Sequence, residues 1–409
     1  MRIDDAVASM RHVKHVCLRL VCVRYSRNDL VGGGFLGRRD KNRRWTAFRV
    51  RSASQESPFR RTGRGTLRLI ASSLVGSRRP LPHEMVEEVS LPRPIVLSLG
   101  SINADLQFDV QDSLGEGGTM RASGFAQRGG GKAANVAYFT HRLGIPTRLI
   151  GRVGDDHFAE IAVSPLKAAE LDLKSVGVAH GVPTGVAIVA VPKDGTKAIL
   201  SASNANMSWN DAAIDDVVAA IRNCPDRSIL VVDFEIPLPV LDAAFATARE
   251  RGFRILVDPT FADQIDRSQL WRFCAITPNQ QEASDLLGLR IATNDDAARA
   301  ALQLNALGVE IACVKLEEGG CFLAMDHDAM QIFAPPVNVV DKTGAGDAFI
   351  AAMAVALLDG KSAYDAACWG VAASAMAVRK KGAQESYPSM MEFQQMIGSV
   401  ERRNGRELA

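Results

Sequence analysis

The stretch Asp341-Lys-Thr-Gly-Ala-Gly-Asp347-Ala-Phe349 sets a carboxylate directly behind three residues of minimal bulk, and the apolar run "FIAAMAVALL" follows at once. Small residues at 344–346 allow successive backbone N–H groups to converge where a helix begins. The free donors and the helix dipole there make an anion hole suited to a phosphoryl group that carries developing charge. A carboxylate in that first turn, Asp347, is placed to accept a proton from an alcohol as the alcohol attacks the phosphorus. Asp is also frequent in first turns for dipole reasons alone, so this reading depends on what the rest of the chain supplies.

Other polar residues follow short apolar runs, where the carboxyl ends of strands in an open α/β sheet gather ligands. "LGSINAD" places Asn103 and Asp105 beyond one run, "VVDFE" places Glu235, and "LVDP" places Asp258. "ITPNQQE" brings Asn279 and Glu282, and "VKLEEGG" brings Lys315 to Gly320. Singly, each suits a turn or a helix cap; jointly they outline a site. In "QRGGGKAANVA" the run Gly129 to Gly131 and then Lys132 leads into a helix, so backbone N–H groups can approach a ligand closely. Ala133 after the lysine excludes a Walker A loop, and the spacing of a dinucleotide fingerprint is missing, which argues against a NAD-dependent dehydrogenase.

The elements that must carry these residues are short apolar runs, "PIVLSLG", "TRLIGRVG", "SILVVDFE", "FRILVDP", "CAITPN" and "IACVKLEEGG". They alternate with helical spacing in "KAANVAYFTHRLG", "LPVLDAAFATARERG" and "NDDAARAALQLNALG", the first ending at a plausible C-cap, Gly144. The alternation predicts an α/β fold with a doubly wound, mainly parallel sheet flanked by helices. Two stretches, about 105–130 and 175–205, alternate polar and apolar residues around a "KDGT" turn and predict a small antiparallel sheet.

"GGGKAANVAYFTHRLG" and "VVDKTGAGDAFIAAM" resemble the two signature segments of the ribokinase-like (PfkB-type) sugar kinases, in the expected order and over about residues 95–398. "LGSINAD" and "RKKGAQESYP" look most like the ribose-specific branch of that family. The resemblance implies an ATP-dependent kinase with a β-sheet lid that also makes homodimers. Its leading substrate is D-ribose, converted to D-ribose 5-phosphate. Fructose, 2-keto-3-deoxygluconate, a sugar phosphate or a nucleoside are alternatives, and so is a non-catalytic sugar-binding descendant. It implies Asp347 as general base and Gly344, Ala345 and Gly346 as the anion hole. Asn103, Asp105, Gly131, Lys132, Asn135, Glu235 and Asp347 match sugar-binding positions. Asp258, Asn279, Lys315, Leu316, Glu317, Glu318, Gly319, Gly320 and Gly346 match the ATP side. Asn279 and Glu282 match a motif that organises Mg²⁺ largely through water, while Asp341, Thr343, Ala377, Lys380, Gly382 and Ser386 match positions around an activating K⁺. Three departures stand out. Ala133 replaces the usual Gly and is expected to crowd the sugar pocket. Asp258 replaces an Asn and is expected to add negative charge near the phosphates. Glu317 and Glu318 replace small residues.

Across 409 residues, 47% hydrophobic and 23% charged, the net charge is +2. Residues 1–84 hold 19 Lys and Arg against 6 Asp and Glu, a net of +13, so the remainder carries −11. That Arg-, Ser- and Gly-rich extension (residues 1–90) shows no sustained period. It reads as a translation start that truly falls at Met85, as an organellar targeting segment, as a basic arm without regular structure, or as a stretch with affinity for nucleic acid or membrane. No nucleic-acid-reading module accompanies it. Seven scattered cysteines without a C-x-x-C pair predict a reducing, cytoplasmic setting, organellar only if residues 1–84 are a transit peptide. No apolar run has the roughly 18 residues that span a bilayer. Residues 91–400 are expected to form the kinase domain, and 401–409 a tail.

Overall fold

The computed structural model describes residues 92–110, 121–191 and 198–407, together with five short strands between 36 and 90. The chain divides into two compact units, Met1–Leu91 and Pro92–Ala409. In the first, Leu36–Arg39 pairs antiparallel with Trp45–Phe48, and Phe59–Thr62, Thr66–Leu69 and Val89–Ser90 form a three-stranded antiparallel sheet. Strands of two to four residues are too short for a period to show in the sequence. The rest of the basic extension, with the readings attached to it, lies outside the described residues.

The second unit is built on a nine-stranded sheet. Its strands are β1 (Val96–Leu99), β4 (Thr147–Gly154), β5 (Val176–Ala179), β8 (Ile229–Asp233), β9 (Arg254–Asp258), β10 (Ala275–Ile276), β11 (Ile311–Lys315), β12 (Cys321–Met325) and β13 (Asp328–Ile332). The spatial order is β5-β4-β1-β8-β9-β10-β11-β12-β13, parallel as far as β11 and antiparallel at β12 and β13. β1 and β8 are buried along their whole length, because parallel strands covered on both faces have no solvent side to alternate with. One face is covered by α1 (Lys132–Arg142), α7 (Ala345–Leu358), α8 (Ala363–Ala377) and α9 (Met390–Glu407). The other is covered by α3 (Asp211–Arg222), α4 (Leu238–Glu250), α5 (Gln280–Leu287) and α6 (Asn294–Ala306). α2 (His157–Ala168) closes a third, smaller apolar cluster with α1 and β4. From Asp347 to Leu357 every residue of α7 is buried, which explains a helix apolar all round rather than amphipathic.

A separate four-stranded sheet has the order β7-β6-β2-β3, from β2 (Asn103–Val110), β3 (Ala122–Gly130), β6 (Gly185–Val191) and β7 (Ala198–Ala202). Three details differ from the sequence-based expectation. β6 pairs with β2 in parallel, because the chain first crosses the large sheet through α1, β4, α2 and β5 and re-enters from the same end. Val176–Ala179 belongs to the edge of the large sheet, parallel to β4, and not to the small one. Residues 401–407, expected as a tail, continue α9. The "KDGT" turn lies outside the described residues. Among the described residues no helix is long and apolar enough to cross a membrane.

Candidate active site

The candidate site forms where β1, β3, β8, β9 and β11 deliver their ends to the starts of α1 and α7. β3 runs into Gly131, whose φ of 90° is the left-handed region; a Cβ there would lie 2.5 Å from the Ser101 carbonyl oxygen. α1 opens immediately afterwards, tied down by the Lys132 N–H donating to Ser101 Oγ at 2.9 Å and by Ser98 Oγ donating to the Ala133 carbonyl at 2.8 Å. Lys132 and Asn135, three residues apart, share one face of that first turn. Facing them, Gly344 in left-handed conformation (φ 72°) caps α7, and Asp347 is buried in its first turn at 6% exposure.

Asn135 Nδ2 donates to Asp347 Oδ2 at 2.7 Å, and Lys132 Nζ lies 3.5 Å from Asp347 Oδ1. The same ammonium is 3.3 Å from Asp258 Oδ1, and Lys315 Nζ is 3.8 Å from Asp258 Oδ2. Two lysines and two carboxylates therefore alternate at the mouth of α7. Burial alone would lower the Lys132 pKa, yet the carboxylates of Asp258, Asp347, Glu282 and Glu235 outweigh it and hold the ammonium well above the usual lysine range. For Asp258 burial pushes upward, and Lys132 and Lys315 reverse it to a net lowering. The negative charge expected at Asp258 is thus neutralised in place by two cations. A Cβ at Gly346 would stand 3.1 Å from Lys315 Nζ, so the glycine leaves the first turn of α7 open to that lysine.

On the sugar-side set, Asn103 is buried and its Oδ1 accepts from Asn206 Nδ2 at 2.7 Å; Asn206 Oδ1 in turn accepts from the Ile102 N–H at 3.0 Å. Asp105 reaches over β3, where a Cβ on Gly130 would meet its carboxylate at 2.2 Å. Ala133, expected to crowd the pocket, instead packs with Ile102 and Leu149 in the small apolar cluster under α1. Glu235 follows β8, and its N–H donates to Asp233 Oδ1 at 2.9 Å, while Asp233 Oδ2 accepts from the Ser101 N–H at 3.0 Å. Burial pushes Asp233 up to about 8, the neighbouring Glu235 adds to this, and the two N–H donors oppose it. Burial raises Glu235 as well, against the pull of Lys132.

On the ATP-side set, Asn279 and Glu282 form a capping box at the start of α5. Asn279 Oδ1 accepts from the Glu282 N–H at 2.8 Å, and Glu282 Oε2 accepts from the Asn279 N–H at 2.7 Å. Lys315 is bound to this strand end through its N–H to the Pro278 carbonyl. The Leu316 side chain is buried in the core on the α3–α6 side, so only its backbone faces the loop. Glu318 turns to Asn294, and the Glu317 carbonyl accepts from Lys342 Nζ at 3.2 Å. Gly319 and Gly320 both adopt positive φ. In the last set, Asp341 Oδ1 accepts from the Thr343 N–H and hydroxyl, and Oδ2 accepts from the Gly382 N–H at 2.9 Å. Ala377 ends α8, Ser386 is buried, and Lys380 is exposed. Among the described residues no group of three or more His, Cys, Asp or Glu side chains is arranged to hold a metal ion.

Ser101, Asn206, Asp233 and Gln384 join this network without having been singled out in the sequence. Asp233 had a signal, a carboxylate closing an otherwise apolar strand. Asn206, in the short turn Asn204–Met207, had none.

With that geometry in view, similarity to known proteins is informative. The family described as pfkB family carbohydrate kinase matches residues 94–390, and the chain belongs to it. A ribokinase of Arabidopsis thaliana is 31% identical over 329 residues, 79% of this chain and 85% of that one. A deoxyribokinase of Salmonella typhi is 28% identical over 300 residues, 73% of this chain and 97% of that one. The solved structure of Arabidopsis thaliana ribokinase complexed with ribose and ATP superimposes with a TM-score of 0.65 at 29% identity, covering 75% of this chain and 99% of that one. The protein is an ATP-dependent carbohydrate kinase.

The buried carboxyl pair has a thermodynamic signature. Asp233 near pKa 8 keeps its proton when folded but loses it above about 4 when unfolded. The unfolded state then binds fewer protons, so stability falls as pH rises between about 4 and 8. Urea midpoints measured from pH 5 to 8 are expected to decline, and Asp233→Asn is expected to flatten the decline. An equally steep slope in the variant would refute the assignment.

Proposed function

We propose that the protein transfers the γ-phosphoryl group of ATP to the 5-hydroxyl of D-ribose, with Asp347 as the general base. The observation that carries this reading is the buried Asp347 carboxylate in the first turn of α7, beside Lys132 and behind the Gly344–Gly346 turn. The hydroxyl proton passes to Asp347 as the alcohol oxygen bonds to phosphorus, and the N–H groups of the turn receive the charge of the moving phosphoryl. Asn103, Asp105, Gly131, Lys132, Asn135 and Glu235 would hold the sugar; carboxylates and amides suit this because each can meet two hydroxyls. Ribose is favoured over 2-deoxyribose and other family substrates by the ribokinase relative, which is the more similar of the two by identity.

Asp258 and Lys315, the loop from Leu316 to Gly320, and Gly346 make up the proposed ATP side. Glu282 already spends one oxygen on its capping box and contributes to the field at Lys132. That fits a Mg²⁺ held mainly by water and phosphate, with Asn279 and Glu282 ordering its waters; the ion would offset phosphate charge. The buried Asp341 carboxylate near the C-terminal end of α8, where the helix dipole is negative, suits K⁺, with Thr343, Ala377, Lys380, Gly382 and Ser386 around it. Buried free thiols suit a reducing cytoplasm.

The small sheet is the proposed lid and dimer face. Leu106, Ile188 and Leu200 lie opposite one another across β2, β6 and β7, with the Phe108 and Phe125 rings in tilted contact, centroids 4.8 Å apart, on the neighbouring pair. Leu200 is 70% exposed and Phe125 56%, an apolar surface that a second copy would cover.

Asp347→Ala is expected to bind ATP as the parent does while losing roughly 10²- to 10⁴-fold in turnover, read by ADP release across a panel of sugars. Near-parental turnover would remove the base assignment, and preference for another sugar would redirect the substrate. Turnover should climb with K⁺ at constant ionic strength, and a flat titration against Na⁺ would sink the cation site. Leu200→Asp is expected to halve the mass seen by sedimentation, and an unchanged mass would remove the lid interface.

A further inference from the structure

Asp347, as a base, offers only acceptors. The atom of Asn135 that lies 2.7 Å from Asp347 Oδ2 is therefore its amide nitrogen, and Asn135 Oδ1 points away. There it accepts from Gln384 Nε2 at 3.1 Å. Gln384 is 2% exposed, and its remaining polar atom, Oε1, has no hydrogen-bond partner among the described residues. Turning over the Gln384 amide would set two carbonyl oxygens against each other. Turning over both amides would set Asn135 Oδ1 against the Asp347 carboxylate. The unpaired Oε1 is thus the consequence of a chain of donors directed at Asp347, and such a buried orphan requires an explanation.

The turn that carries Gln384 is held on several sides. The Gly382 N–H donates to Asp341 Oδ2, and Tyr387 Oη donates to the Gly344 carbonyl at 3.0 Å. Two ion pairs fasten it to the small sheet, Arg128 with Glu385 at 2.8 Å and Lys381 with Asp109 at 2.9 Å. A side chain so anchored can impose an orientation on its neighbour.

We propose that Gln384 is a positioning residue for phosphoryl transfer. Acting through Asn135, it keeps Asp347 Oδ2 occupied and so reserves Oδ1, the oxygen facing Lys132, for the substrate proton. This rests on the reading of Asp347 as the base. In the step, the sugar O–H bond breaks with its proton going to Oδ1. The freed electron pair forms the new O–P bond, and the bond from the γ-phosphorus to the ADP oxygen breaks with its pair leaving on ADP.

Gln384→Leu keeps a similar size while removing both the donor and the orphan, and Gln384→Glu puts an acceptor where the donor stood. Both are expected to lower kcat ten- to a hundredfold, with KM for ATP within twofold and KM for the sugar within threefold. Combined with Asn135→Ala, Gln384→Leu should add no loss beyond that of Asn135→Ala alone, because the two act in series. Turnover within twofold of the parent in Gln384→Leu, or losses that multiply in the double variant, would overturn the proposal. If urea midpoints show that Gln384→Leu is unfolded, Gln384→Glu decides by the same criteria. An inactive Asp347→Asn beside fully active Gln384 variants sinks only this inference, whereas an active Asp347→Asn sinks the base assignment as well.

Discussion

A carboxylate at the head of a helix that is buried on every side must be compensated where it stands, since a lone buried charge costs several kcal/mol. Lys132 and Asn135, both in the first turn of α1, supply the compensation to Asp347 from 212 positions away in the case of the amide. The requirement propagates outwards. Lys132 is itself partly buried and pairs with Asp258, Asp258 pairs with Lys315, and Lys315 is held by the end of β10 through Pro278. Each partner comes from a different element, so the large sheet must bring β9, β11, α1 and α7 to one edge before any of these charges is tolerable.

The second carboxyl pair, Asp233 and Glu235, is organised on another principle. Asp233 has hydrogen-bond donors from the Ser101 and Glu235 backbones but stays protonated to about pH 8, because burial and a like-charged neighbour dominate. It braces the β1–β2 connection: a Cβ at Gly100 would meet Asp233 Oδ2 at 1.9 Å. Asp258 and Asp233, both buried, are therefore pushed in opposite directions by their surroundings, the first downward by two ammonium groups and the second upward by burial beside a like-charged neighbour.

Much of this was legible in the sequence, for physical reasons. Fully covered parallel strands leave unbroken apolar runs, so β1, β8, β9 and β11 could be read directly, as could α7 from "FIAAMAVALL". Asn103, Asp258 and Lys315 announced themselves by following such runs, Lys132 and Asp347 by standing where small-residue turns open helices, and Asn135 only through the family resemblance; the structure does draw Lys132, Asn135, Asp258, Lys315 and Asp347 together. Strand direction was not legible, because alternation carries no sign: β6 looks the same parallel or antiparallel to β2. Placement of β5 turned on the crossover before it. Asn206 and Gln384 were hidden because their partners, Asn103 and Asn135, lie 103 and 249 positions away. Pairing across such distances also neutralises the charge expected of Asp258.

The strands of the small sheet have no flexible linkers where they meet the pocket. β2 begins at Asn103 itself, and β3 ends at Gly130, one residue before the loop that starts α1. A rocking of that sheet would therefore drag Asn103, Asp105 and the Gly131–Lys132 corner with it, so that the cover and the floor of the cleft respond as one lever. On the proposed reading of the small sheet as a lid over a sugar site, opening would loosen the grip on a sugar and the ammonium beside Asp347 in the same stroke, and closing would restore both together.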